Sequence, residues 1–118
     1  MSDLIEKAKE RTELRTVLRE FQSGLRKLYG KNAPAILLYG SHARGQAYAD
    51  SDIDILLIYP RDIFPGEEIH RISSILADLN LRYQVLISIL PATESHYRDS
   101  NNPFWNNVRR ESIPIEAV

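Results

Sequence analysis

The chain has 118 residues, a formal net charge of −1, 43% hydrophobic and 26% charged residues, and no cysteine. That size gives room for one folded unit, and the missing cysteines exclude disulfides, thiolate zinc sites and a cysteine nucleophile. No apolar run approaches the roughly 20 residues of a membrane span, and a near-neutral charge argues against strong nucleic-acid binding, which needs clustered cations. Met1 to Glu10 alternates acids and bases and does not read as a secretory signal, so the expected compartment is the cytoplasm. The charge is uneven: residues 1–31 carry eight Lys or Arg against five acids, and Asp50 to Asp54 holds three acids in five residues.

Leu14, Val17, Leu18, Phe21, Leu25 and Leu28 recur at intervals of three and four and predict an amphipathic helix over 2–29, ended near Gly30. Ala35 to Tyr39 is a short apolar run, framed by Asn32 and Pro34 in front and Gly40 behind, and reads as a buried strand. Gly40 to Asp50 is small, polar and turn-rich. Ser51 to Tyr59 is a second strand and Pro60 to Gly66 a loop, after which Ile69, Ile72, Leu76 and Leu79 mark a helix to about Asn80. Tyr83 to Leu90 is predicted as a third strand closed by Pro91. Thr93 can cap a short helix, and Asn102-Pro103 caps a last one to Glu111, with an irregular tail from Ser112. The expected architecture is one α+β domain over 1–118, with the N-terminal helix over 2–29, a core over 35–90 and C-terminal helices over 92–111. Its small mixed sheet has about three strands and room for an edge strand.

Asp52 and Asp54 stand two apart on a strand, so both side chains leave one face about 6.6 Å apart. Carboxylates so placed repel each other, and a divalent cation relieves that cost. Their all-oxygen chemistry suits magnesium or manganese. Alone, an Asp-x-Asp pair reads more often as two solvated acids at the start of a strand. Gly40 and Ser41 directly follow a buried strand and open a turn whose N–H groups and hydroxyl can receive phosphate oxygens. Glycine permits close approach, and Arg44 offers a forked guanidinium. By itself, a Gly-Ser turn is most often only a turn.

Together the segments read Leu38-Tyr39-Gly40-Ser41-His42-Ala43-Arg44-Gly45 and Ser51-Asp52-Ile53-Asp54-Ile55-Leu56. This resembles the DNA polymerase beta-like nucleotidyltransferase signature, a Gly-Ser turn followed after ten residues by Asp-x-Asp, over about Ala35 to Leu90. The resemblance implies a nucleotidyltransferase fold, ATP as substrate, magnesium or manganese on Asp52 and Asp54, and phosphates on Gly40, Ser41 and Arg44. It also implies a third acid on the next strand. The position expected for it is Gln84, whose amide supplies neither charge nor a base, while Glu94 lies past Pro91 and out of reach.

The short chain is similar to the minimal nucleotidyltransferases, the MNT antitoxins of HEPN toxins. That similarity implies AMP transfer from ATP to a tyrosine of a HEPN-type helical partner. Two other readings stand beside it: a nucleotide-binding or partner-masking module without turnover, and a small-molecule nucleotidyltransferase acting as a homodimer. His42, His70 and His96 show no metal-site spacing, though His42 lies within the signature loop. Trp105 beside Phe104 is read as core packing of the last helix.

Overall fold

A computed structural model describes residues 2–48 and 51–118, without the side chain of Ser2; Asp50, one of the three clustered acids, lies outside the described residues. Chain order is α1 (Ser2–Tyr29), a 3-10 turn (Gly30–Asn32), β1 (Ala35–Tyr39), α2 (Gly40–Ala43), β2 (Ile53–Tyr59), α3 (Pro65–Tyr83), β3 (Ile87–Thr93), α4 (Glu94–Asp99), α5 (Pro103–Glu111), β4 (Ile113–Pro114) and a 3-10 turn (Ile115–Ala117). The sheet runs β3-β2-β1-β4. β1 is antiparallel to β2 and β4, and β2 is parallel to β3. This is the expected α+β arrangement, a mixed sheet between helices.

Strand alternation divides the core. Ile53, Ile55, Leu57 and Tyr59 face α1 and α3, where Val17, Leu18, Phe21, Leu25, Ile72 and Leu79 are buried. Leu56 and Ile58 face the other side, against Trp105 and Val108 of α5. Trp105 is therefore a core residue, as expected. β2 is the spine of both cores: six of its seven residues are buried, and the seventh is Asp54.

α1 packs from Leu14 onward. Leu4 and Ile5 are exposed, and Leu28, counted in the apolar stripe, is 41% exposed. Where α1 ends, the Tyr29 hydroxyl meets the Tyr59 hydroxyl at 3.0 Å and donates to the buried Glu68 at 2.9 Å. Burial pushes the Tyr59 hydroxyl far up, so it stays a neutral hydrogen-bonding group. The caps at Thr93 and Asn102 form as predicted, accepting from His96 N–H at 3.1 Å and Trp105 N–H at 2.9 Å.

Several boundaries differ from those predicted. Helix α3 runs on to Tyr83, and Gln84 is its left-handed C-terminal cap, with φ 52° and ψ 46°. Asn80, taken as the helix end, lies inside it and receives the Ile87 N–H on its side-chain oxygen at 3.0 Å. The run Tyr83-Gln84-Val85-Leu86-Ile87 satisfies strand and helix periods alike, and tertiary packing decides between them. Strand β3 starts at Ile87 and continues through Pro91, which an edge strand tolerates because its missing N–H can face outward. The loop predicted to reach Gly66 ends two residues sooner, since Pro65 takes the first helical position. The tail is not irregular throughout: Ile113 and Pro114 pair with Leu38 and Leu37 as the edge strand, and Ile115 is buried.

A non-glycine residue in the left-handed region costs about 1 kcal/mol relative to glycine. Gln84→Gly is therefore expected to stabilise the protein by about 0.5–1 kcal/mol in urea unfolding; a loss of stability would show that the Gln84 side chain holds the α3–β3 junction.

Candidate active site

The site forms where the end of β1 meets the start of β2. Antiparallel pairing sets Tyr39 opposite Asp54, so the chain leaving β1 turns directly beside that carboxylate. Tyr39 is extended (φ −135°, ψ −176°), and Gly40 then takes φ +75°. A side chain at Gly40 would collide with Asp54: an added Cβ would lie 3.2 Å from the carboxyl carbon and closer still to one oxygen. Glycine is required here on two counts, conformation and space.

The turn is closed by local hydrogen bonds, Arg44 N–H to Gly40 O at 3.1 Å and Gln46 N–H to Ser41 O at 2.9 Å. His42 Nε2–H donates to Ser51 O at 3.3 Å, tying the Gly-Ser turn to the segment that carries the acids. His42 thus has a structural position inside the signature. His70 is exposed on α3, and His96 stacks edge-on against Trp105 at 5.0 Å.

Asp52 lies just before β2 and is exposed, whereas Asp54 is in the strand and half-buried. The predicted strand from Ser51 therefore begins two residues late, which leaves Asp52 on a solvated lead-in. Burial raises the pKa of Asp54, and the Asp52 charge raises it further, against His42 and Arg44. Burial and Asp54 together push the Tyr39 hydroxyl up as well. Among the described residues no three His, Asp or Glu stand close enough to hold a metal ion as a set; the candidate ligands are the two aspartates.

Gln84 does not face them. It ends α3 three residues before β3, and the strand register sets Ser88 beside Asp54. Leu86 lies level with the lead-in to β2, its carbonyl accepting the Ile53 N–H at 2.8 Å. Neither Ser88 nor Leu86 is an acid. Glu94 follows Thr93, which pairs with Tyr59 at the opposite end of β2, so it is remote as expected.

One participant was not singled out from the sequence. Glu111, the last residue of α5, accepts from Gly40 N–H at 3.3 Å and from the Arg44 guanidinium on both carboxylate oxygens at 3.2 Å. The available signal was an acid in the last turn of a helix, where the exposed carbonyls disfavour negative charge. A cavity of about 260 Å³ adjoins the loop on the opposite face, between α1 and Ile53; His42 and Tyr48 line it, and neither aspartate does.

The family described as polymerase beta, nucleotidyltransferase, matches residues 25–100, and the chain belongs to that family. A Methanocaldococcus jannaschii protein named as a candidate protein adenylyltransferase is 30% identical over 95 residues, covering 80% of this chain and 89% of its own. Solved structures are similar in fold. A toxin–antitoxin solved with AMP-PNP superposes with a TM-score of 0.54 at 15% identity, over 80% of this chain and 69% of that one. The complex of tri-AMPylated Shewanella oneidensis HEPN toxin with MNT antitoxin gives 0.52 at 12% identity, over 90% and 71%. This chain is thus a nucleotidyltransferase by family.

A raised folded pKa means that ionised Asp54 costs stability at neutral pH and protonated Asp54 does not. Asp54→Asn is expected to raise the unfolding midpoint at pH 7, with the advantage shrinking as pH falls through the raised pKa and gone below the ordinary value of 3.8. A pH-independent difference would remove electrostatics as its source. Gly40→Ala should destabilise by about 1–3 kcal/mol. Part of that loss should be recovered in an Asp54→Ala background, where the carboxylate contact is gone while the positive φ and a 3.3 Å approach to the Cβ of residue 54 remain; equal losses in both backgrounds would rule out the carboxylate contact.

Proposed function

We propose that this chain transfers AMP from ATP to a hydroxyl of a partner protein, with a tyrosine of a HEPN-type helical toxin as the acceptor: the hydroxyl oxygen bonds to the α-phosphorus, the α–β phosphoanhydride bond breaks, and pyrophosphate leaves. The observation that carries the reading is the convergence of Gly40 N–H and the Arg44 guanidinium on one anion, in a turn packed against the Asp54 carboxylate. Donors for phosphate and ligands for a cation thereby stand side by side. The AMP-PNP-bound toxin–antitoxin fold, the adenylyltransferase name of the relative and the AMPylated HEPN toxin bound to its MNT antitoxin support the nucleotide, the reaction and the partner.

Asp52 and Asp54 fit a divalent ion: both are oxygen donors, and burial together with the Asp52 charge disfavours ionised Asp54, a cost of the kind that a cation offsets. Magnesium or manganese, when bound, neutralises the triphosphate and makes the acceptor hydroxyl more acidic. The chain's own residues hold and orient. Gly40 N–H, the Ser41 hydroxyl and Arg44 take the outer phosphates, and Asp52 and Asp54 would hold the cation at the start of β2. With Ser88 and Leu86 at the neighbouring register positions, β3 offers no carboxylate base there, so the acceptor's proton leaves through solvent or a partner side chain. The same two residues favour the second reading, a module that binds nucleotide and partner without turnover.

ATP is expected to bind the parent far more tightly with magnesium than with chelator in calorimetric titration, and Asp52→Asn with Asp54→Asn to abolish that difference. Equal affinity in magnesium and chelator would end the metal-site reading. Intact mass measurement of a copurified partner after incubation with ATP should show the added AMP. An unmodified partner alongside metal-dependent ATP binding would establish the second reading.

A further inference from the structure

Glu111 lies beyond residues 25–100, the stretch matched by the family, yet its carboxylate touches the heart of the candidate site. Helix α5 ends on it, and two residues later Ile113 pairs with Leu38 of β1. Continuing that antiparallel register brings Glu111 level with Gly40. The edge strand therefore places this side chain at the phosphate turn through the backbone.

The contacts are those of a bound anion. Glu111 Oε1 accepts from Gly40 N–H at 3.3 Å and from Arg44 Nη1 at 3.2 Å, and Oε2 accepts from the same nitrogen at 3.2 Å. A carboxylate in a helix's last turn faces the negative end of that helix, so donors outside α5 must favour this position. The side chains of Glu111 and Arg44 are 21% and 43% exposed, which leaves the carboxylate a path into solvent without unfolding its surroundings.

We propose that Glu111 is a resident competitor for the phosphate donors: its carboxylate occupies Gly40 N–H and Arg44 until a nucleotide's phosphates displace it, and so it sets nucleotide affinity. The inference rests on the phosphate-binding reading of the Gly-Ser turn. A phosphate carries more charge and more acceptor oxygens than a carboxylate, so displacement is feasible once a cation on the aspartates offsets repulsion. The occupied turn lowers the fraction of molecules ready to bind. If about one molecule in ten has Glu111 swung out, the apparent Kd is about tenfold weaker than that of the open turn.

The test is titration of parent, Glu111→Gln and Glu111→Asp with magnesium-ATP and with adenosine, each protein first checked for parent-like thermal unfolding. Gln keeps the shape without the charge, and Asp keeps the charge but retracts it by one methylene. The expected result is ATP binding about tenfold tighter in Glu111→Gln and tighter also in Glu111→Asp, with adenosine affinity unchanged in both. Weaker ATP binding in both variants would overturn the proposal and make Glu111 a positioner of Arg44. Equal ATP binding in all three proteins would also overturn it, while leaving the phosphate reading standing. An equal gain for adenosine would place the effect away from the phosphates and overturn it. Absence of ATP binding in all three would remove the phosphate reading itself, and the proposal with it.

Discussion

The contact between the Gly40 backbone and the Asp54 carboxylate is the constraint on which the rest of the site depends. The antiparallel register of β1 and β2 sets Tyr39 opposite Asp54, and the chain can then turn beside the carboxylate only if the next residue has no side chain and accepts φ +75°. A donor-rich turn and an acidic strand end are thereby held against each other, one on each strand of a hairpin-like pair. The hydrogen bond from His42 to Ser51 O closes the same unit from the loop side.

The cost of this arrangement falls on Asp54. It is the one residue of β2 that is not fully buried in an otherwise apolar strand, and both desolvation and Asp52 disfavour its charge. Stability gathered elsewhere offsets that cost: two apolar clusters grip β2 from opposite faces, with Phe21, Leu25 and Ile72 on one side and Trp105 and Val108 on the other. Strain concentrated at one strand end and rigid packing along the remainder is the pattern expected of a site kept ready for a charged ligand.

Glu111 gives the C-terminal segment a part in the same electrostatics. A short edge strand, two residues long, is a weak structural element by itself. Here it has a positional role, since it sets the end of α5 over the phosphate turn. The site thus draws on the α2 turn, β2 and α5, and its donors and acids come from segments about 70 residues apart in the chain.

By itself the sequence determined the order of elements as far as α5, the α+β class, and the candidate residues Gly40, Ser41, Arg44, Asp52 and Asp54, because these rest on local patterns: period, turn chemistry and the ten-residue spacing of two words. Tertiary structure decided what local pattern leaves degenerate. Tyr83 to Ile87 fits helix and strand alike, and only packing of Tyr83 and Val85 against the core together with the Asn80 cap extends α3, which takes Gln84 out of the strand and leaves Ser88 beside Asp54. The pairing of Ile113 with Leu38 and the seating of Glu111 on Gly40 and Arg44 were not legible either. Both are contacts between residues far apart in sequence, and nothing in the composition of the tail specifies the strand edge it will meet.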